Sequence, residues 1–206
     1  MRLSIRRGLA AALALSLAAL ACDSPTGLRT GTLNVYLTDA PGDVLSAVVT
    51  IDQIYLQGDS GDAEGRIVLR DEDVTTDLLT LVDSTQALIE GAEIPAGRYG
   101  QLRFVISGAY IVVEGEAGAT EIYASSPTYA ALPADAVVTG SLQMPSFAQS
   151  GLKVNLPGDA ITVAADGTVS LVVDFDVAQS FGKLAGSSGQ WVMTPVLQGS
   201  IPPTAP

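Results

Sequence analysis

The chain has 206 residues, with 22 acidic side chains against ten basic ones, a net charge of −12, one cysteine and no histidine. The absence of histidine excludes Ser-His-Asp and Cys-His catalysis and metal centres built on imidazole; oxygen ligands remain, which suit calcium or magnesium. Beyond the first 21 residues the basic side chains, Arg29, Arg66, Arg70, Arg98, Arg103, Lys153 and Lys183, are scattered along the sequence, whereas phosphate binding needs clustered cations, so nucleic acid is not an expected partner.

The chain opens with Arg2, Arg6 and Arg7, followed by an uncharged run from Leu9 to Ala21 and then Cys22. That run is too short for an ordinary spanning helix, which needs ~20 apolar residues, and it fits the apolar core of a secretory signal. Ala19-Leu20-Ala21-Cys22 resembles a lipobox, with Ala19 where leucine is commonest. Cys22 is therefore the expected lipidation site and new N-terminus, and a lone cysteine in an exported chain calls for such an explanation. Removing residues 1–21 leaves seven basic and 22 acidic residues, a net charge of 7 − 22 = −15. A charge of that sign is repelled by an anionic bilayer, so the expected membrane partner is reached through the acyl anchor. Residues 22–30 read as the lipidated cysteine and a linker. The eight residues from Asp23 to Thr30 reach at most ~29 Å, which holds the domain near the membrane.

From Gly31 onward, short β-rich runs alternate with Gly, Pro and Asp turns, the pattern of an all-β domain extending to about residue 199, with a tail over 200–206. Leu33, Val35 and Leu37 alternate with polar neighbours as a half-buried strand. Pro41-Gly42 suits a type II turn. Ala47 to Gln57 is the next strand; its apolar phase changes midway, and an extra residue near Asp52-Gln53 would put Val49, Ile51, Ile54 and Leu56 on one face as a β-bulge. Gly58 to Gly65 is an acidic loop, and Ile67 to Leu69 begins a return strand. Asp77 to Ile89 is ambiguous, with a short helical turn at most. Arg98 to Ser107 is a strand with Leu102, Phe104 and Ile106 inward, and Tyr110 to Glu114 and Glu121 to Ala124 are further strands. Tyr99 is placed to hydrogen-bond back to upstream backbone as a tyrosine corner. Ser125 to Ser150 reads as a loop across the domain with a strand around Ala136 to Leu142. Asp166-Gly167 between alternating runs signals a hairpin. Gln190 to Leu197 is the last strand, and Pro195 puts it at an edge or ends its pairing.

Several strings occur in an order that resembles one family: Leu-Thr-Asp-Ala-Pro at 37–41, Thr-Asp-Leu-Leu-Thr-Leu at 76–81, Ile-Pro-Ala-Gly-Arg-Tyr-Gly-Gln-Leu-Arg at 94–103, Pro145-Ser146 before Gly151-Leu152-Lys153, Asp174-Phe175-Asp176 with Ser180, and Thr194-Pro195-Val196. Together they resemble the bacterial domain-of-unknown-function family 4382, often found on lipoproteins. The resemblance implies an immunoglobulin-like or prealbumin-like β-sandwich of about seven to ten strands, and it brings no catalytic residues.

Asp174 and Asp176, two apart on an expected strand, would share the face opposite Phe175. The bland reading is a solvated face; the sharper ones are a carboxylate hydrolase or a calcium site. The loops Asp39 to Asp43, Asp59 to Glu64 and Asp71 to Asp77 do not fit the twelve-residue calcium loop, but loops at one end of a sandwich can pool oxygen ligands. Asp39, Asp43, Asp174 and Asp176 are the calcium candidates. Ser150-x-x-Lys153 and Ser180-x-x-Lys183 match a motif that penicillin-binding enzymes carry on a helix with companion motifs, which this chain lacks. Trp191 and Tyr36 are candidates for a sugar-stacking platform. The expectation is a lipid-anchored, extracytoplasmic, non-enzymatic module that contacts protein or glycan at the cell envelope. A calcium-dependent adhesion or glycan-binding module and a carboxylate hydrolase are the alternatives.

Overall fold

The computed structural model describes residues 28–39, 43–58, 65–144, 150–181 and 190–203. Cys22 and its leader, the Pro41-Gly42 turn, the acidic loop at 59–64, the Pro145-Ser146 string and Lys183 lie outside the described residues. No helix among those described is long and apolar enough to cross a membrane.

The described residues form thirteen strands in two mixed sheets, a sandwich-like all-β fold. The smaller sheet holds β1 (Thr30–Thr38), β5 (Gln86–Pro95), β11 (Thr168–Phe175) and β13 (Leu197–Ser200), in the order β13-β11-β1-β5. β1 runs parallel to β11, and the outer pairs are antiparallel. The larger sheet is built on two long ribbons, β2 (Ser46–Gly58) and β6 (Gly97–Glu114). β3 (Gly65–Arg70) and β4 (Val74–Asp77) pair with the free side of β2. On the other side of β6 lie β7 (Thr120–Ala124), β9 (Leu152–Val154) and β10 (Ile161–Val163). β8 (Gly140–Gln143) and β12 (Trp191–Val192) extend that sheet beyond β7.

Alternation builds the core. Leu33, Val35 and Leu37 from β1 and Leu171, Val173 and Phe175 from β11 face Leu102, Phe104 and Ile106 of β6, all fully buried. Burying a side chain of this size stabilises by roughly 1.5–3 kcal/mol. The register against β6 shifts between Ile51 and Gln53, leaving Asp52 as the extra residue of the bulge expected there, and Val49, Ile51, Ile54 and Leu56 all reach the core. The tyrosine corner is present: the Tyr99 hydroxyl donates to the Pro95 carbonyl at 2.6 Å from a fully buried ring.

Several elements differ from the sequence reading. Arg98–Ser107 and Tyr110–Glu114 are one strand, because Ser107 is an extra residue of β6 opposite Thr50 and Ile51 and pairing continues past it. The ambiguous stretch divides into a 3-10 turn, Leu78–Leu81, capped by the Asp77 side chain, and the unforeseen strand β5. β5 was hidden because its register against β1 shifts twice, so no clean alternation survives. Part of the Asp71–Asp77 loop is strand β4. Asp166-Gly167 does make a tight turn, with Gly167 N–H donating to Ala164 O at 3.1 Å, but the flanking strands do not pair as a hairpin. β10 joins β6 and β11 joins β1, so the turn carries the chain from one sheet to the other. β1 takes the turn's polar groups: Asp166 N–H donates to Thr30 O and Thr32 N–H to Gly167 O, both at 2.8 Å. Gly31 makes that approach possible, since a Cβ there would lie 2.3 Å from Ala164 O. The expected last strand is two strands in different sheets, and pairing stops on either side of Pro195. β13 is stitched to the larger sheet through Asn155, whose N–H donates to Leu197 O and whose carbonyl accepts from Gly199 N–H.

Candidate functional site

Because β1 and β11 are parallel, their C-terminal ends lie together, and this end of the sandwich receives the acidic candidates. Asp174 is half-buried within β11. Asp39 directly follows β1; it is 6% exposed, and its Oδ1 accepts from Val177 N–H at 3.1 Å. Asp176 is not on the strand, which ends at Phe175. It is the N-cap of a one-turn helix, Val177–Ser180, with Oδ1 accepting from Gln179 N–H at 2.8 Å and Oδ2 from the Gln179 amide. Asp174 thus lies in the strand and Asp176 just past its end, in extended backbone, with its side chain turned to the helix that begins at Val177. Asp39 and Asp176 together hold the first turn of that helix, satisfying backbone donors that a helix start leaves unpaired. Among the described residues, no three acidic side chains gather closely enough to hold a metal ion.

Asp43 is exposed, and with Val44, Val177, Ala178, Phe181 and Trp191 it borders a hollow of about 100 Å³. Sites for drug-sized ligands run from about 300 Å³, so these walls alone hold something much smaller. Trp191 is half-buried, its ring 5.8 Å from that of Tyr123, and it packs on the core. Tyr36 lies in the other sheet, so Trp191 and Tyr36 do not form one platform. The serine of the second Ser-x-x-Lys string does not sit as a nucleophile would. Ser180 is fully buried, its hydroxyl oxygen accepting from Val196 N–H at 2.9 Å. The other string runs into strand β9, which carries Lys153, not along a helix.

Asp77 is a further structural carboxylate: it accepts from the Ser46 hydroxyl at 2.7 Å and from the N–H groups of Ala47 and Leu79 at 3.1 Å. Its charge adds to burial in raising the Tyr110 hydroxyl above the ordinary tyrosine value. Tyr123 is raised first by its hydrogen bond to the Glu121 carboxylate.

Three cations that are far apart in the sequence, Arg66, Arg103 and Lys153, come together in space. Tyr55 on β2 lies opposite Val68 on one side and Arg103 on the other, and Arg103 lies opposite Lys153. In the next row Gln57 lies opposite both Arg66 and Gln101. Their inward-pointing neighbours Leu56, Leu102 and Val154 are in the core, so these residues share the outer face of the larger sheet. Positions distant in sequence became neighbours through strand pairing, which no linear pattern of charge reveals.

Fold and site thus define an all-β sandwich in which two of the candidate carboxylates, Asp39 and Asp176, serve its own backbone. The chain belongs to the family described as Domain of unknown function (DUF4382), whose model matches residues 30–195. No curated protein and no solved structure matches it.

Proposed function

We propose that this protein is a lipid-anchored, extracytoplasmic binding or structural module of the cell envelope, acting without catalysis. The observation that carries the reading is the sequence context of Cys22: three arginines, an uncharged run and small residues directly before the chain's one cysteine. The domain's first strand begins at Thr30, eight residues later, so the acyl chains would hold the sandwich close to the bilayer. Each buried CH₂ of such an anchor contributes ~0.8 kcal/mol. The non-catalytic part of the reading is supported by the engagement of Asp39, Asp77 and Asp176 with backbone N–H groups.

The test is metabolic labelling with palmitate followed by membrane fractionation. Wild type is expected to incorporate label and pellet with membranes, and Cys22→Ser to do neither. An unlabelled wild type, or a Cys22→Ser chain that still pellets, would remove the anchor.

A further inference from the structure

We propose that the part of the larger sheet's outer face carrying Arg66, Arg103 and Lys153 docks an anionic polysaccharide, one bearing carboxylate or phosphate groups along its chain. The proposal rests on the reading of this domain as a binding module, and names the partner's chemistry; it does not depend on the acyl anchor.

Three observations support it. First, these are three of the seven basic residues that follow Cys22, set within four adjacent strands of a domain whose net charge is −15. Neighbouring strands lie ~4.8 Å apart, so the cations span roughly 14 Å. Second, their charge is not consumed within the described residues. Arg66 donates to the Gln53 amide oxygen and stacks 3.8 Å over the Tyr55 ring. Arg103 donates to Gln101 Oε1 and the Ser150 carbonyl at 2.8 Å, and to Gly151 O at 3.1 Å. These acceptors are all neutral. Lys153 is exposed. Third, Gln57 and Gln101 stand between the cations, offering amide donors and acceptors of the kind sugar hydroxyls meet.

The geometry favours a glycan over a bilayer. A negatively charged membrane would face the whole acidic domain, whereas a single strand of polyanion meets only a narrow stripe. Charges farther off are screened over ~8 Å at physiological salt.

The experiment uses the full chain in detergent and a fluorescein-labelled oligogalacturonide, followed by anisotropy at low salt with a chelator present, so that calcium cannot bridge carboxylates. Saturable binding is expected, weakened at least tenfold by Arg66→Gln combined with Lys153→Gln. Arg29→Gln, a change off this face, should leave it unaltered. Arg66→Lys, which keeps the charge, should stay within about threefold of wild type. Cys22→Ser should bind equally, so loss of the anchor and loss of this partner are separable. The proposal is overturned by no saturable binding, by equal affinity of the double variant, or by equal binding of a neutral dextran oligomer. It is also overturned if phosphatidylglycerol vesicles are bound through Arg66 and Lys153 while the oligogalacturonide is not.

Discussion

The two halves of the larger sheet's outer face are built on the same two ribbons, β2 and β6, and end in opposite states. At one half, the connection between β7 and β8 lies across the sheet, and Val48, Tyr110 and Ala124 are buried beneath it, with Val112, Ile122, Tyr129 and Leu132 packed around them. At the other half, the same strands carry Tyr55, Gln57, Gln101 and Arg103, and the large side chains of β3 and β9 on that face, Arg66 and Lys153, are exposed. The covered half is recognisable as a small second core. In the other half Tyr55 is buried, its hydroxyl donating to Ser150 O, while Gln57, Gln101 and Arg103 stay partly exposed, and among the described residues Arg66 and Arg103 donate to neutral acceptors. A sheet face that a protein could cover, and instead leaves cationic, is where a partner is best sought.

Phe104 and Arg103 are adjacent on β6 and point to opposite faces, so they give the largest contrast. Phe104→Ala should cost ~3–5 kcal/mol, as a fully buried aromatic truncation does. Arg103→Ala should cost roughly 1–2 kcal/mol, from hydrogen bonds to neutral acceptors. Denaturant titrations of both variants decide it; equal losses would mean that the outer half is structural and not an open face.

The next effect belongs to the covered half. A Cβ on Gly108 would lie 2.3 Å from the Tyr129 ring, which rests on the glycine and meets Tyr110 edge-on with centroids 6.2 Å apart. Gly108→Ala should destabilise by about 1–3 kcal/mol through overpacking, and less in a Tyr129→Ala background, where the ring is gone. Additive losses in that cycle would show that Tyr129 does not cover the sheet through Gly108.

Much of this was legible in the sequence, and the exceptions have physical causes. Strict alternation located β1 and the core face of β6, and the phase change at Asp52-Gln53 located the bulge. Pairing partners were less visible: Asp166-Gly167 shows only a turn, and the turn is made whether the next strand folds back or crosses to the other sheet. Asp39 and Asp176 looked like free carboxylates because a cap's partner is a backbone N–H, which leaves no mark on composition. The row through Arg103 and Lys153 was invisible for the same reason that strand pairing was.

The covered half should also respond to pH. Burial raises the hydroxyl of Tyr129 above the ordinary tyrosine value of 10.0, and the same cause acts on Tyr110. A raised folded value favours the neutral form, so this contribution is complete below about pH 10 and is lost as pH rises through the folded values. Urea titrations from pH 8 upward should therefore show stability falling above pH 10. Tyr129→Phe should lower stability by about 1 kcal/mol near neutral pH, through loss of the hydroxyl's bond to Thr50, and should flatten the alkaline decline. An unchanged alkaline slope would place the titrating group elsewhere.

Arg66 offers the smallest effect on stability and the sharpest comparison with its strand neighbour Arg70. Arg70 donates to Leu88 O at 3.1 Å, and so ties β3 of the larger sheet to β5 of the smaller one, and it also donates to Glu72 O at 2.9 Å. Arg66 stacks on Tyr55 and reaches the Gln53 amide on its own sheet. An exposed cation–π contact is worth ~0.5–1 kcal/mol, and glutamine can still meet Gln53, so Arg66→Gln should cost at most about 1 kcal/mol. Arg70→Gln should cost more, because its loss leaves the Leu88 carbonyl without that donor at the junction of the sheets. Paired thermal melts measure the difference. If Arg66→Gln proves as damaging as Arg70→Gln, Arg66 is part of the framework and its charge is not held in reserve for a partner. If it melts near wild type while polyanion binding falls tenfold, stability and binding separate at one residue, as an open recognition face requires.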